Sequence, residues 1–324
     1  MKNKSIVITG AAGFIASCVV RHLNEQKITD LILVDDIERS DRWKNLQNKK
    51  FLDLISKNEL FTFLEKRREE VSAIIHLGAC SDTLETDGNF LMENNYRFSV
   101  RLAEYAIPSR IRFIYASSAA TYGDGFLGFR DDHASLDLLK PLNLYGFSKH
   151  LFDLWLKRRG FLDRVVGLKY FNVYGPNESH KGHMSSMVYK MFPKAKKEGV
   201  IQLFQSSEPH RFADGDQCRD FIYVKDAAAM TCQFLENDLC GIFNIGLGQP
   251  TTWNTLAQAV FKAMDIQPQI EYIPMPENLK RQYQNYTCAD MEKYYKSAKI
   301  APLYTVDTAV KDYICNYLLQ DERW

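Results

Sequence analysis

Largely apolar runs rich in β-branched residues alternate with helix-length amphipathic segments along most of this chain. Ser5–Thr9, Leu31–Asp35, Ala73–Leu77, Ile111–Ser117, Val165–Phe171 and Ile242–Ile245 have the character of parallel strands buried on both faces. Such strands separated by helices predict an α/β fold built on a doubly wound parallel sheet. Between the fifth and sixth of these runs, Leu144, Phe147, His150, Leu151, Leu154 and Trp155 recur at helical spacing, so Tyr145 opens or precedes a long helix. After Phe171 the pattern loosens through Gly175-Pro176, Gly182, Gly199 and the polar stretch Glu208–Gln217. Strand character resumes at Asp220–Val224, where the chain is expected to rejoin the sheet. A second departure runs from Pro250 onward and contains Pro268, Pro274, Pro276 and Pro302. The two excursions are expected to pack together as a smaller α/β lobe. Residues 1–172 with about 220–249 then form one domain, and about 173–219 with 250–324 form the other.

Composition narrows the function classes. A chain of 324 residues with 46% hydrophobic and 25% charged positions can bury a full core across two lobes. The formal net charge of +1, from 41 basic and 40 acidic residues, argues against a nucleic-acid or polybasic membrane surface as the main partner. Seven cysteines without a C-x-x-C pair suggest neither a zinc site nor a disulfide framework, and reduced thiols are the default. The apolar part of the first ten residues is far shorter than a signal-peptide core, and no later stretch approaches membrane-spanning length. A soluble, cytoplasmic protein is expected.

The turn after the first strand reads Gly10-Ala-Ala-Gly13-Phe14-Ile15-Ala16. In a strand–turn–helix unit such glycines allow the tight turn and let backbone N–H groups approach a pyrophosphate at the helix N-terminus. Ala16 stands where a third glycine is usual. The second strand ends on Asp35-Asp36, about twenty residues on, where ribose hydroxyls are read in a Rossmann arrangement. A carboxylate there favours NAD, whereas Arg39 and Arg42 nearby could pair with the 2′-phosphate of NADP, so the residues leave both open. Leu77-Gly78-Ala79-Cys80-Ser81 should lie against adenosine and pyrophosphate, with Asn94 buttressing that loop.

Ser117-Ser118 ends the fourth run, and Tyr145-Gly-Phe-Ser-Lys149 follows. Tyr145 and Lys149 are four apart and share a helix face. Oxidising an alcohol carbon requires the hydroxyl to lose its proton as hydride leaves. An ordinary tyrosine, with a pKa near about 10, cannot accept that proton at neutral pH. A nearby lysine ammonium stabilises the phenolate, and Ser118 would hold the same hydroxyl. The residues thus point to a nicotinamide-dependent enzyme acting on an alcohol.

These motifs resemble the extended short-chain dehydrogenase/reductase superfamily, and the later ones narrow it. Leu77-Gly-Ala-Cys-Ser81, Ser117-Ser-Ala-Ala-Thr-Tyr-Gly123, Tyr170-Phe-Asn-Val-Tyr-Gly-Pro176, His180-Lys-Gly182 and Ile270-Glu-Tyr-Ile-Pro274 are similar to the ADP-L-glycero-D-manno-heptose 6-epimerase family. The resemblance covers essentially the whole chain, and His180-Lys181-Gly182 is its most specific element. It implies that Tyr145 and Lys181 act as acid/base groups on opposite faces of the sugar C6″, with Ser118 and Lys149 supporting the tyrosine. Hydride would leave C6″ to the nicotinamide, giving a transient 6″-ketone, and return to the other face once the carbonyl has turned. The dinucleotide, NADP or NAD, would be tightly held, one per subunit, with Lys57, Val173 and Lys181 joining the residues above. Asn172, His183, Lys190, Phe204, Gln205, Ser206, Ser207, Arg219 and Tyr283, together with Ser118, would contact the ADP-sugar. Arg219 would pair with a diphosphate oxygen, its alternative being an inter-lobe ion pair. Phe204 and Tyr283 have a core-aromatic alternative.

The chain departs from the family pattern at Leu77 (commonly glutamate), His183 (commonly serine), Lys190 (commonly histidine) and a lengthened loop at Phe212–Gln217. The resemblance further implies a homo-oligomer, a pentamer, serving lipopolysaccharide heptose synthesis. Among rivals, a 4,6-dehydratase needs carboxylates where Ala119 and Ala120 stand, and a non-catalytic dinucleotide-binding scaffold would lack the tyrosine, lysine or serine. A nucleotide-sugar 4-epimerase is the nearer alternative, and Lys181 separates it. His180 and His183 lack a third ligand at suitable spacing, so no metal is expected.

Overall fold

The computed structural model describes residues 4–38, 40–280 and 283–324, so Arg39 lies outside the described residues. In chain order the strands are β1 Ser5–Thr9, β2 Leu31–Val34, β3 Asp53–Ile55, β4 Val71–His76, β5 Arg112–Ser118 and β6 Val165–Tyr170, followed by β7 Asn172–Tyr174, β8 Ile201–Phe204, β9 Cys218–Tyr223, β10 Gly241–Ile245, β11 Pro250–Thr252 and β12 Ile270–Ile273.

Seven of them form one sheet in the order β10-β6-β5-β4-β1-β2-β3, and every pairing in it is parallel. Strand β1 is central: Val7 faces Ile32 of β2 on one side and Ile74 of β4 on the other. Its five residues are all buried, which is why the sequence shows an unbroken run there. The order reverses between β1 and β4, and a doubly wound sheet opens a crevice at that switch point beyond the carboxyl ends of its strands. Helices Phe14–Glu25 and Val224–Cys232 pack against each other. Helix Leu144–Arg158 runs between β5 and β6 and rests on β5. No helix among the described residues is long and apolar enough to cross a membrane.

A second core forms from Tyr174, Val188, Phe192, Leu203, Phe221, Tyr223, Leu256, Val260, Val310 and their neighbours. It lies between helices Met187–Glu198, Trp253–Met264 and Val306–Tyr313, beside the β8-β12 pair and the three-stranded sheet β11-β9-β7. The structure differs here from the expected return to the main sheet at Asp220. Strand β9 pairs with β7 and β11, and only β10 rejoins the seven-stranded sheet. The reason is visible in its side chains: Phe221 and Tyr223 enter the second core, and Ile222 enters the first. A strand between two cores is apolar on both faces, as a sheet-centre strand is, and a local pattern does not distinguish them. Ala289, Met291 and Tyr294, from the last segment of the chain, pack into the first core. The edge strand β3 escaped the sequence pattern because it is three residues long, with Asp53 and Leu54 exposed.

Candidate active site

The turn after β1 is a backbone cradle. Gly10 has φ +68°, and a Cβ placed on it would sit 2.6 Å from Gly78 Cα, so the turn lies flat against the loop that follows β4. Gly13 donates its N–H to Gly10 O at 2.8 Å and caps helix Phe14–Glu25. That N-terminus has no side-chain cap and no acidic residue in its first turn, and Phe14 and Ile15 line the cleft. Its partial positive charge is therefore available to an anion, as a pyrophosphate-binding turn requires. Ala16 is buried at 2% exposure in the position where a third glycine is usual. Gly10→Ala is expected to lower stability by about 1–3 kcal/mol, the cost of a strained backbone with a steric clash, and to weaken dinucleotide binding. Thermal denaturation with and without added dinucleotide checks this; an unchanged midpoint and unchanged ligand stabilisation would contradict it.

At the end of β2, Asp35 turns inward. Its carboxylate accepts N–H bonds from Ala12 and Asp36 at 2.9 Å each, and Arg42 Nη1 lies 3.4 Å away. Burial pushes the Asp35 carboxyl above its usual range, against the pull of Arg42 and the two N–H donors. Asp36 is engaged as well, accepting from Ser56 Oγ at 2.8 Å and Lys57 N at 3.2 Å. The cationic side chains of Arg42 and Lys57 line the cleft at this end. Asn94 lines it too and accepts from Lys57 Nζ at 2.5 Å. The expected buttress of the Leu77–Ser81 loop is corrected here: Asn95, not Asn94, holds it, donating to Cys80 O and accepting from Cys80 N at 2.9 Å each. Adjacent helical residues point about 100° apart, so one faces the cleft and the other the loop.

Asn143 caps helix Leu144–Arg158 by accepting from Gly146 N at 2.7 Å, which sets Tyr145 in its first turn and Lys149 one turn on, along one face. Both line the cleft with Ser118, which ends β5. The Ser118 and Tyr145 hydroxyls share a hydrogen bond, and Ser118 Oγ also accepts from Ala120 N at 3.1 Å. Burial raises the Tyr145 phenol above its ordinary value, with the Ser118 bond pulling it back. Lys149 lines the same cleft one helical turn from Tyr145. Lys149 is itself 5% exposed, and burial pushes its ammonium down to about 8, while the Asp153 charge one turn further on raises it. Asp153 is fully buried and accepts from Tyr115, Ser117 and Lys169, which ties β5 and β6 to this helix.

Lys181 reaches the same cleft from the loop between β7 and helix Met187–Glu198. Gly182, at φ +53°, turns this loop. Glu178 staples it, accepting from Gly175 N at 3.3 Å and Ser186 Oγ at 2.6 Å. Lys181 Nζ lies 5.5 Å from the Phe14 ring, which places it beside the glycine turn. Burial lowers its pKa; the Glu178 carboxylate raises it and the Lys190 charge adds a smaller lowering.

Of the residues singled out from sequence, all those assigned to the dinucleotide and to proton transfer line one cleft of about 1060 Å³, as do Asn172 and His183. That volume is at the upper end for small-ligand sites, and it suits two ligands side by side. His183 Nε2 sits 3.2 Å from Asp82 at the rim. The others do not line this cleft. Lys190 Nζ donates to His183 O at 2.6 Å. Phe204 ends β8, and the polar groups of Gln205, Ser206 and Ser207 hold their own loop through Ile273 O, Asp214 and Asn285. Arg219 is 9% exposed and lies over the rings of Tyr283 and Trp253 at 5.0 and 5.6 Å. Among the described residues it has no carboxylate partner, so the ion-pair reading fails; Asp220 accepts instead from Leu247, Gly248 and Ala289 N–H groups. Tyr283 accepts from Trp253 Nε1 at 2.8 Å and is a wall-backing aromatic. The far wall includes Trp253, Gln284 and Thr287, which sequence reasoning missed. Thr252, which accepts from Thr255 N, was a legible helix cap, yet nothing local says that Trp253 faces the cleft.

The model of the NAD dependent epimerase/dehydratase family matches residues 6–246. The chain is 48% identical over 318 residues to an ADP-L-glycero-D-manno-heptose-6-epimerase of Nitratidesulfovibrio vulgaris, covering 96% of this chain and 97% of that one. The crystal structure of the Helicobacter pylori ADP-L-glycero-D-manno-heptose-6-epimerase superposes with TM-score 0.81 at 27% identity, over 97% of this chain and 96% of that one. A UDP-N-acetylglucosamine 4-epimerase of Methanobrevibacter ruminantium superposes as well, at TM-score 0.82 and 23% identity over 99% of this chain and 100% of that one, a likeness of fold alone. With a glycine turn, a serine–tyrosine–lysine set and a lysine loop meeting in one cleft, this chain belongs to the NAD dependent epimerase/dehydratase family and, within it, to the ADP-L-glycero-D-manno-heptose-6-epimerases.

Proposed function

We propose that the protein inverts C6″ of ADP-D-glycero-β-D-manno-heptose, giving the L-glycero epimer through a transient 6″-ketone. The observation that carries this reading is that two proton-carrying side chains from different elements, Tyr145 and Lys181, line one cleft beside an anion-binding turn. Gly10, Gly13, Phe14 and Ile15 would hold the dinucleotide pyrophosphate, Leu77–Ser81 and Asn94 the adenosine side, and Lys149 and Val173 the nicotinamide end. The bound nicotinamide supplies reversible hydride acceptance at C6″. Asp35 and Asp36 are engaged by Ala12 of the glycine turn and by Ser56 and Lys57 after β3, while the cations of Arg42 and Lys57 share the cleft with them, which favours NADP with its 2′-phosphate.

Inversion needs a proton removed on one side of the carbon and delivered on the other. Burial acts on the two carriers in opposite senses, raising the Tyr145 phenol and lowering the Lys181 ammonium. One of the two removes the hydroxyl proton and the other supplies a proton to the turned carbonyl, and each takes the other role in the reverse reaction. Ser118 orients the substrate oxygen with Tyr145. Asn172 and His183 contact the sugar from the rim, and Arg219, a buried cation without a carboxylate partner among the described residues, serves the diphosphate once the wall opens to it. Lys190, Phe204–Ser207 and Tyr283 shape that wall from behind.

In this reading residues 1–172 with about 220–249 carry the dinucleotide and the remainder carries the ADP-sugar; the presence of two cores supports it, with Phe221 and Tyr223 crossing to the second and Ala289, Met291 and Tyr294 to the first. A homo-oligomer in the cytoplasm, where nucleotide sugars and dinucleotides are available, completes the proposal. Turnover in deuterated water tests the chemistry: the epimerised product should carry no solvent deuterium at C6″, because hydrogen moves there as hydride. Full incorporation would indicate deprotonation at carbon and overturn the reading.

A further inference from the structure

The loop that carries Lys181 is tied to the glycine turn by residues to which the chemistry above gives no task. Asn45 lies on the short helix Asp41–Leu46, the element that also bears Arg42, and is 1% exposed. Its Nδ2 has three acceptors: Ala12 O at 3.0 Å in the glycine turn, Asn177 O at 3.0 Å, and His180 Nδ1 at 3.2 Å. Two of these belong to the Lys181 loop, and the amide has only two protons to share among the three. With an amide nitrogen as partner, Nδ1 of His180 must accept, which requires a neutral ring. Burial provides this by pushing His180 down to about 4, with the Arg42 and Lys181 charges adding to the effect. Asn177 makes a second link, donating to Ser17 Oγ at 3.0 Å on helix Phe14–Glu25.

We propose that Asn45 and His180 form a latch that fixes the height of Lys181 over the glycine turn, and hence over the dinucleotide and the reacting carbon. It rests on the reading of Lys181 as the second proton carrier. Asn45 and His180 are positioning residues. They act through Lys181, and an error of about 1 Å in a proton carrier costs about a hundredfold in rate. The latch also accounts for the histidine of His180-Lys181-Gly182, which the proton chemistry leaves without a role.

Asn45→Ala and the pair His180→Asn and His180→Phe test it, alone and in a Lys181→Met background, by turnover of the ADP-heptose. Asn45→Ala should lower kcat about ten- to a hundredfold with KM changed less than about threefold. His180→Asn keeps an acceptor near the Nδ1 position and should retain most activity, whereas His180→Phe fills the space without an acceptor and should lose about tenfold. In the Lys181→Met background the loss from Asn45→Ala should shrink below about twofold, since a residue acting through Lys181 has nothing left to position. Equal losses in both backgrounds, or full activity of Asn45→Ala while Lys181→Met is impaired, would overturn the latch alone. Near-normal turnover by Lys181→Met would instead overturn the two-carrier reading, and the latch with it. If Asn45→Ala fails to fold, the two His180 variants decide: equal activity in His180→Asn and His180→Phe overturns the latch.

Discussion

Tyr145→Phe should reduce turnover by about 10³- to 10⁴-fold while leaving the bound dinucleotide in place, the upper range for loss of a positioned acid/base group. The substitution removes one oxygen and keeps the ring, so helix Leu144–Arg158 and its Asn143 cap are undisturbed. Ser118 loses one partner and retains the N–H of Ala120, so the cost to folding is about 1 kcal/mol. Steady-state kinetics, with the dinucleotide content measured on the same sample, checks both parts. A fully active variant would contradict the whole assignment of the site, because the Tyr145 hydroxyl is its assigned proton carrier beside Ser118 and Lys149.

Lys181→Met should cost about 10²- to 10³-fold in turnover, again with dinucleotide retained. Methionine preserves the length of the side chain beside Phe14; it removes a cation that burial disfavours but that also faces the buried Glu178 carboxylate, so a thermal denaturation of the variant accompanies the kinetics. Near-normal turnover would leave a single proton carrier at Tyr145. That outcome would favour a site in which the whole sugar swings past one base, as the 4-epimerase alternative requires.

Much of this architecture was legible because its signals are local. Gly10 and Gly13, the Tyr145–Lys149 spacing and the buried runs from Ile6 to Ile8 and Leu31 to Val34 each follow from a turn, a helix face or a doubly buried strand. What stayed hidden depends on distant partners. Strand β9 looks like a sheet-centre strand, yet Phe221 and Ile222 feed different cores. Asn94 and Asn95 are equivalent as letters, and only the helix phase sends one to the cleft and the other to Cys80. Arg219 has Asp220 as its neighbour in sequence but Trp253 and Tyr283 as its neighbours in space. Phe204–Ser207 are read from resemblance as sugar contacts, while the Ser206 N–H bonds Asp214 and Ser207 Oγ bonds Asn285, partners that no local pattern announces.

The most direct measurement is NMR of the purified protein incubated with ADP-D-glycero-β-D-manno-heptose and no added dinucleotide. Conversion to the L-glycero epimer, with NADP recovered from the heat-denatured protein, is the predicted result. No conversion, even after NAD or NADP is supplied, would contradict the account and turn attention to UDP-hexoses and 4-epimerisation.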